Sequence, residues 1–228
     1  MFRDVDVLSF DLDDTLWPCH SVIIKAEKKL FEFLQKKQPI ITRLYPSVSA
    51  LVEHRQQLLI KYPQYAYDVS KIRRLQLSAL AQEADVAGDW EEEAFECFHS
   101  ARQKVSFYED VLPTLERLST KYTLIALTNG NADIDAVGLG EYFEWSLLAS
   151  EAGAAKPDAK FFEAALERLD VTADRCLHIG DNLVTDVEGA ASVAMKTAWL
   201  NRKGESIKSA KVLPDIVVSD LFELAEYL

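Results

Sequence analysis

Cysteine is scarce. The three that occur, Cys19, Cys97 and Cys176, are odd in number and far apart, with no C-x-x-C spacing. That excludes a disulfide framework and a cysteine-based zinc cluster, and it fits a reducing, cytoplasmic setting. Positive charge is also in deficit: 25 Lys and Arg against 37 Asp and Glu leave a formal net charge of -12 and a pI near 4.8. No electrostatic footprint for nucleic acid or an anionic membrane results, so neither is an expected partner. Long apolar runs are missing as well. No segment approaches the ~18 unbroken apolar residues of a membrane span, and Asp4, Asp6 and Asp11 interrupt the stretch where a signal peptide would need its apolar centre. Neither export nor a membrane span is expected. His20, His54, His99 and His178 show no ligand spacing and read as structural residues, His178 as strand packing beside Gly180. There is no internal repeat or low-complexity tract.

What remains is the composition of a soluble globular protein, 49% hydrophobic and 27% charged. A chain of 228 residues is long for one minimal domain and short for two, which implies one core with an insertion. Val5 to Phe10 reads as a short strand ending in a carboxylate-rich turn. From about His20 to Val105 the 3.6-residue period takes over, with Ile23, Ala26, Leu30 and Phe33, then Leu77, Leu80, Ala81 and Ala84, then Trp90, Ala94, Cys97, Ala101 and Val105. Strands and helices then alternate: helix Val111 to Leu118, strand Thr123 to Thr128, helix Asp158 to Leu169, strand Cys176 to Ile179, helix Val184 to Ala194, strand Lys196 to Leu200 and helix Leu221 to Tyr227. Such alternation implies an α/β fold with a Rossmann-like parallel sheet flanked by helices. The expected organisation is a core of residues 1-17 and 106-228 with an all-helical cap, residues 18-105, inserted between the first strand and the rest.

In open parallel sheets ligands bind outside the carboxyl ends of the strands. Asp11-Leu12-Asp13-Asp14-Thr15 follows the first strand, Thr128-Asn129-Gly130-Asn131 closes the second, and Gly180-Asp181-Asn182 follows the third, with Asp186 beyond; Lys156-Pro157-Asp158 opens a helix. Singly each has an ordinary reading as a cap or a turn. Together they put carboxylates, a hydroxyl, an amide and one cation at one rim. Packed carboxylates such as Asp11, Asp13, Asp181 and Asp186 repel unless something positive sits among them, and all-oxygen ligands call for a hard cation, Mg²⁺ with retained waters.

These four segments, in this order over the whole core, resemble the motifs of the haloacid dehalogenase superfamily. The resemblance implies that Asp11 is a nucleophile that becomes an aspartyl-phosphate, and that Asp13 protonates the leaving oxygen and then deprotonates the attacking water. It implies a metal held by the Asp11 carboxylate, the Asp13 carbonyl and Asp181, with Asp186 holding metal waters or Lys156. Thr128 and Asn129 would donate to phosphoryl oxygens, and Lys156 would balance charge on Asp11 and the substrate.

Within the superfamily, dehalogenases displace halide, need no acid for it, and usually lack a carboxylate two residues after the nucleophile; Asp13 therefore favours a phosphatase. A phosphomutase shares both aspartates, and a phospho-acceptor or binding module without turnover is the reading from a different class. Leu127 to Ala132, Gly138 to Glu144 and His178 to Asp181 are similar to the bacterial branch containing the flavin mononucleotide and riboflavin-pathway intermediate phosphatases. That implies a small phosphorylated metabolite of ribityl, flavin or nucleotide-like type as partner; a monomer or homodimer is the expected assembly. Tyr65, Tyr67, Lys71, Arg73 and Arg74 read as a solvated helix start with the tyrosines packed inward, or else as a cluster that stacks on a ring or meets a second anion.

Overall fold

The structure is a computed structural model and describes residues 2-228. The chain divides into two compact units, Cys19–Val105 and the remainder on either side of it. The first is helical: α1 (Cys19–Lys37), α2 (Pro39–Leu44), α3 (Val48–Lys61), α4 (Val69–Glu83) and α5 (Trp90–Arg102). Ser47 and Asp68 cap α3 and α4 by accepting from the amides of Ala50 and Lys71, which satisfies donors that have no partner inside the helix. Ala26, Leu30, Leu34, Leu77, Leu80, Trp90, Phe95 and Phe98 form its core.

A charged cluster lies within this unit. Glu27, 2% exposed, accepts from Arg73 and pairs with Arg55 at 2.8 Å, while Arg73 also donates to Gln76 and its guanidinium lies 3.9 Å from the Phe98 ring centre. The solvated face expected from Tyr65 to Arg74 is therefore split. Arg73 turns inward to Glu27, whereas the exposed Arg74 stacks on Phe95 beside Glu92. The α4 period decides this, because Arg73 falls on the same stripe as Ile72, Gln76 and Leu77.

The second unit is built on a six-stranded parallel sheet in the order β3-β2-β1-β4-β5-β6, with β1 Val7–Phe10, β2 Thr123–Thr128, β3 Trp145–Leu148, β4 Cys176–Gly180, β5 Lys196–Leu200 and β6 Ile216–Val218. Helices α6 (Val111–Ser119), α7 (Ala149–Ala152), α8 (Ala159–Leu169), α9 (Gly189–Ser192) and α10 (Leu221–Tyr227) flank it. The α/β class expected from the sequence is the one observed. The central strands are buried along their length, as a sheet covered on both faces requires. From β1 the chain steps outward to β2 and β3, then returns to the other side of β1 for β4. That reversal makes the β1/β4 border the switch point, where a crevice opens at the carboxyl ends.

Two strands escaped the sequence reading, β3 and β6, of four and three residues; both are sheet edges, where strands are commonly kept short. The single helix expected over Val184 to Ala194 is a π-helical turn, Leu183–Glu188, followed by α9. π-turns concentrate at functional sites, and this one carries Asp186.

Candidate active site

Asp11 is the first residue beyond β1, and its amide donates to Ile179 O at 2.9 Å, so the β1/β4 ladder fixes where the carboxylate starts. The residue is 7% exposed. One oxygen accepts from Lys156 Nζ at 2.7 Å and the other from Thr15 Oγ1 at 3.0 Å. Thr15 Oγ1 in turn accepts from the Asp181 amide at 3.2 Å, which ties the loop after β1 to the loop after β4. Between them Asp14 adopts φ 63°, a left-handed turn that Asp tolerates better than most residues. The turn brings Trp17 back over the loop: its buried indole donates to Asp13 Oδ1 at 2.8 Å and packs edge-on against Phe107.

Lys156, 4% exposed, enters from the segment before α8 and donates to Asp11 Oδ1 and to Asp186 Oδ1, each at 2.7 Å. Its backbone is gripped by Asn129, whose side-chain oxygen accepts from Lys156 N at 2.8 Å and whose amide donates to Lys156 O at 2.9 Å. The Asn129 side chain thus places Lys156, a part that the sequence reading did not assign to it. Thr128 is buried at the end of β2, and its hydroxyl accepts from Gly130 N at 2.9 Å.

Asp186 accepts at its second oxygen from Asn182 N at 3.0 Å. Gly180 makes room for it: a Cβ there would stand 2.3 Å from Asp186 Cγ, so a side chain at 180 and this carboxylate exclude each other. His178 lies beneath, its Nε2 3.3 Å from Asp186 Oδ1 and its Nδ1 2.9 Å from Ser9 Oγ. It is a polar link and not simple strand packing.

The electrostatics follow from three carboxylates crowded near one ammonium that hydrogen-bonds two of them. Burial, with the Asp186 charge adding to it and Lys156 opposing it, pushes the Asp11 carboxyl up to about 8. Burial and repulsion from Asp186 and Asp14 raise Asp181 to about 6. Burial also disfavours ionisation of Asp186, but Lys156 and the His178 contact outweigh it and hold that carboxyl below the usual range. Burial makes protonated His178 unfavourable. Carboxylate oxygens of Asp11, Asp181 and Asp186 lie within 4.8 Å of one another. An all-oxygen set short of positive charge fits a hard divalent cation. Beside Asp181 opens a cavity of about 260 Å³ walled by Asp14, Asn182, Leu200, Arg202 and Lys203.

The structure therefore brings Asp11, Lys156, Asp181 and Asp186 together, and places Thr128 at the end of β2 and Asp13 and Asn129 on the adjoining loops. The sequence reading missed the parts played by Thr15, Ser9 and His178. Each had a signal: Thr15 ends the acidic motif, and Ser9 and His178 are polar residues inside apolar, fully buried strands.

Residues 5–194 match the family described as haloacid dehalogenase-like hydrolase. The chain is 31% identical, over 98% of its length and 96% of the relative's, to 5-amino-6-(5-phospho-D-ribitylamino)uracil phosphatase YigB of Escherichia coli. It is 26% identical, over 98% and 94%, to N-acylneuraminate-9-phosphatase of Rattus norvegicus. Among solved structures, a 2-haloacid dehalogenase from Pseudomonas syringae pv. Tomato superposes with a TM-score of 0.90 at 35% identity, covering 97% of each chain. On motif order, fold and relatives together, the chain belongs to the haloacid dehalogenase-like hydrolase family.

Proposed function

We propose that the protein is a Mg²⁺-dependent phosphatase that hydrolyses a small phosphorylated metabolite through an aspartyl-phosphate on Asp11. The observation that carries this reading is the buried contact of Lys156 with Asp11, in a cluster of carboxylates, with Asp13 two residues beyond.

Asp11 attacks phosphorus; an Asp11 O–P bond forms as the bond to the ester oxygen breaks, and Asp13 gives that oxygen its proton. Water then attacks the acyl-phosphate, Asp13 takes the water's proton, and Asp11 is released with inorganic phosphate. Lys156 balances charge on Asp11 and on the phosphoryl oxygens, and Thr128 donates to them. Asp11, Asp181 and the Asp13 carbonyl would hold Mg²⁺, with Asp186 beside them, and the ion would neutralise the anionic phosphoryl group. The helical insert, which follows the Asp11 loop directly in the chain, is proposed as the cap that selects the substrate.

For the substrate, the YigB relative supports a phosphorylated ribityl compound. The dehalogenase among the solved structures supports a second reading, 2-haloacid dehalogenation. Asp13 discriminates, since an alkoxide leaving group needs a proton and a halide does not. The test is phosphate release with Mg²⁺ from 5-amino-6-(5-phospho-D-ribitylamino)uracil, flavin mononucleotide, pyridoxal phosphate, nucleotides and sugar phosphates, run beside 2-chloropropionate. Phosphate release is expected; halide release without phosphate release overturns the reading.

A further inference from the structure

Ser9 and His178 are register partners across the two strands that meet at the switch point. Their side chains begin a polar chain through an apolar interior. A carboxylate only accepts hydrogen bonds. The contact between His178 Nε2 and Asp186 Oδ1 at 3.3 Å therefore needs the proton on Nε2. In an uncharged ring Nδ1 is then bare, and the Ser9 hydroxyl, 2.9 Å away, donates to it. Phe162 packs edge-on against the imidazole with 5.3 Å between ring centres, which limits its rotation.

Asp186 Oδ1 thus receives two donors, His178 Nε2 from below and Lys156 Nζ at 2.7 Å, while Oδ2 receives Asn182 N. Rotating the Asp186 carboxylate would break all three contacts. Since Lys156 Nζ is shared between Asp186 and Asp11, the orientation of Asp186 decides where the ammonium stands against Asp11.

We propose that His178 is a positioning residue, its Nε2–H tautomer set by Ser9, which orients Asp186 so that Asp186 holds Lys156 on Asp11. The proposal rests on the reading of Asp11 and Lys156 as the groups that carry phosphoryl transfer. It assigns His178 no contact with substrate. Its effect reaches the reaction through two intervening side chains, as outer partners of catalytic groups do.

The test compares His178→Leu, which keeps bulk and removes the donor, with His178→Gln, whose side-chain amide returns a donor near the Nε2 position. In His178→Leu, kcat is expected to fall about 10- to 100-fold. Its KM should stay within about twofold, because the interaction lost is one made in the transition state. In His178→Gln most of kcat should return, and Ser9→Ala should fall between the two. Equal loss in His178→Leu and His178→Gln, or a His178→Leu kcat near that of the wild type, overturns the proposal.

A readout independent of turnover accompanies these. Two-bond ¹H–¹⁵N correlation of the wild-type imidazole should show His178 protonated at Nε2 and bare at Nδ1. An Nδ1–H tautomer overturns the proposal even if His178→Leu does not fold. Wild-type protein that releases no phosphate from any ester would instead count against the phosphatase reading and leave the tautomer result standing as evidence for or against the Ser9–His178–Asp186 chain.

Discussion

Lys156 Nζ donates to Asp11 Oδ1 and to Asp186 Oδ1 at the same distance, 2.7 Å, joining positions 145 and 30 residues away in the chain. All three side chains are buried. One ammonium thus hydrogen-bonds two carboxylates, and Asp181, with a carboxylate oxygen within 4.8 Å of theirs, receives no hydrogen bond from it. The arrangement keeps a net negative charge at the end of the sheet, which suits a cation and disfavours an approaching phosphate without one.

Replacing Lys156 with Met should be more damaging than removing an ordinary surface charge. It strands Asp11 and Asp186 as uncompensated buried acids, and losing one partner of a buried pair costs about 3–5 kcal/mol. Denaturant unfolding of the metal-free variant should show a loss of that order, and phosphate release should drop by more than about 100-fold, as when a preorganised donor is deleted. Lys156→Arg should not restore activity, because a forked guanidinium cannot take the place of a compact ammonium between two oxygens. A Lys156→Met protein with wild-type stability would refute the charge-sharing account.

Asp13 is held by the Trp17 indole at 2.8 Å. If it is the proton donor, Asp13→Asn should slow hydrolysis of alkyl phosphates by about 100- to 10,000-fold. The activated ester p-nitrophenyl phosphate, whose leaving group needs little help, should suffer much less. Kinetics on the two ester types decide the matter: equal losses would remove the acid role and leave Asp13 as a structural anchor of the loop.

The metal-free protein should also respond to pH through Asp181. Its folded carboxyl is raised to about 6 by burial and neighbouring carboxylates, against an ordinary 3.8. The folded state therefore binds this proton more tightly than the unfolded state does. The stability it contributes is full below about pH 4 and is lost as pH rises through about 6. Asp11 acts in the same direction, whereas Asp186, held below its usual range, contributes stability that is lost only in strong acid. In EDTA, Asp181→Asn should thus melt above the wild type at pH 7.5, with the difference shrinking toward pH 4.5. Excess Mg²⁺ should reverse the order at pH 7.5 by binding the folded wild type. A pH-independent difference in EDTA would contradict the assigned cause.

Much of this was readable from residues alone, and the exceptions have physical reasons. Strands with strong apolar runs and a polar stop, such as Thr123 to Thr128 and Lys196 to Leu200, were placed to the residue. The edge strands Trp145–Leu148 and Ile216–Val218 are too short to show a period. In the site, the carboxylates and Lys156 stood out because charged side chains seldom belong at strand ends in clusters. The work of Asn129 did not, since Asn-Gly reads as a turn and its clamp on the Lys156 backbone spans 27 residues. Ser9 and His178 were hidden for a similar reason: only the β1/β4 register, a long-range fact, makes them neighbours.

That clamp supplies its own prediction. Asn129→Ala leaves both the amide and the carbonyl of Lys156 without their partner, at a cost of about 1–3 kcal/mol. Lys156 loses its fixed starting point, so kcat should fall while KM changes little, and Asn129→Asp should recover only the bond from Lys156 N. Unchanged kcat in a folded Asn129→Ala protein would show that the ammonium is placed by Asp11 and Asp186 alone.

Gly180 offers the most local test of the geometry. A methyl group there would lie 2.3, 2.4 and 2.5 Å from Asp186 Cγ, Oδ2 and Cβ. Contacts this short along the whole side chain cannot be relieved by turning its tip. Either Asp186 moves with its π-helical turn or β4 shifts at its end, and forcing extra volume into a packed site costs about 1–3 kcal/mol. Any displacement of Asp186 loosens Lys156, so Gly180→Ala should lose far more activity than so small a change in side chain would otherwise cause. The double variant Gly180→Ala with Asp186→Gly separates the two effects. It removes every atom in the clash, Cβ included, so its stability should exceed that expected from adding the separate costs of Gly180→Ala and Asp186→Gly, while its activity should stay as low as that of Asp186→Gly. Strictly additive stability losses in this pair would mean that the close approach of residue 180 to Asp186 does not govern the site.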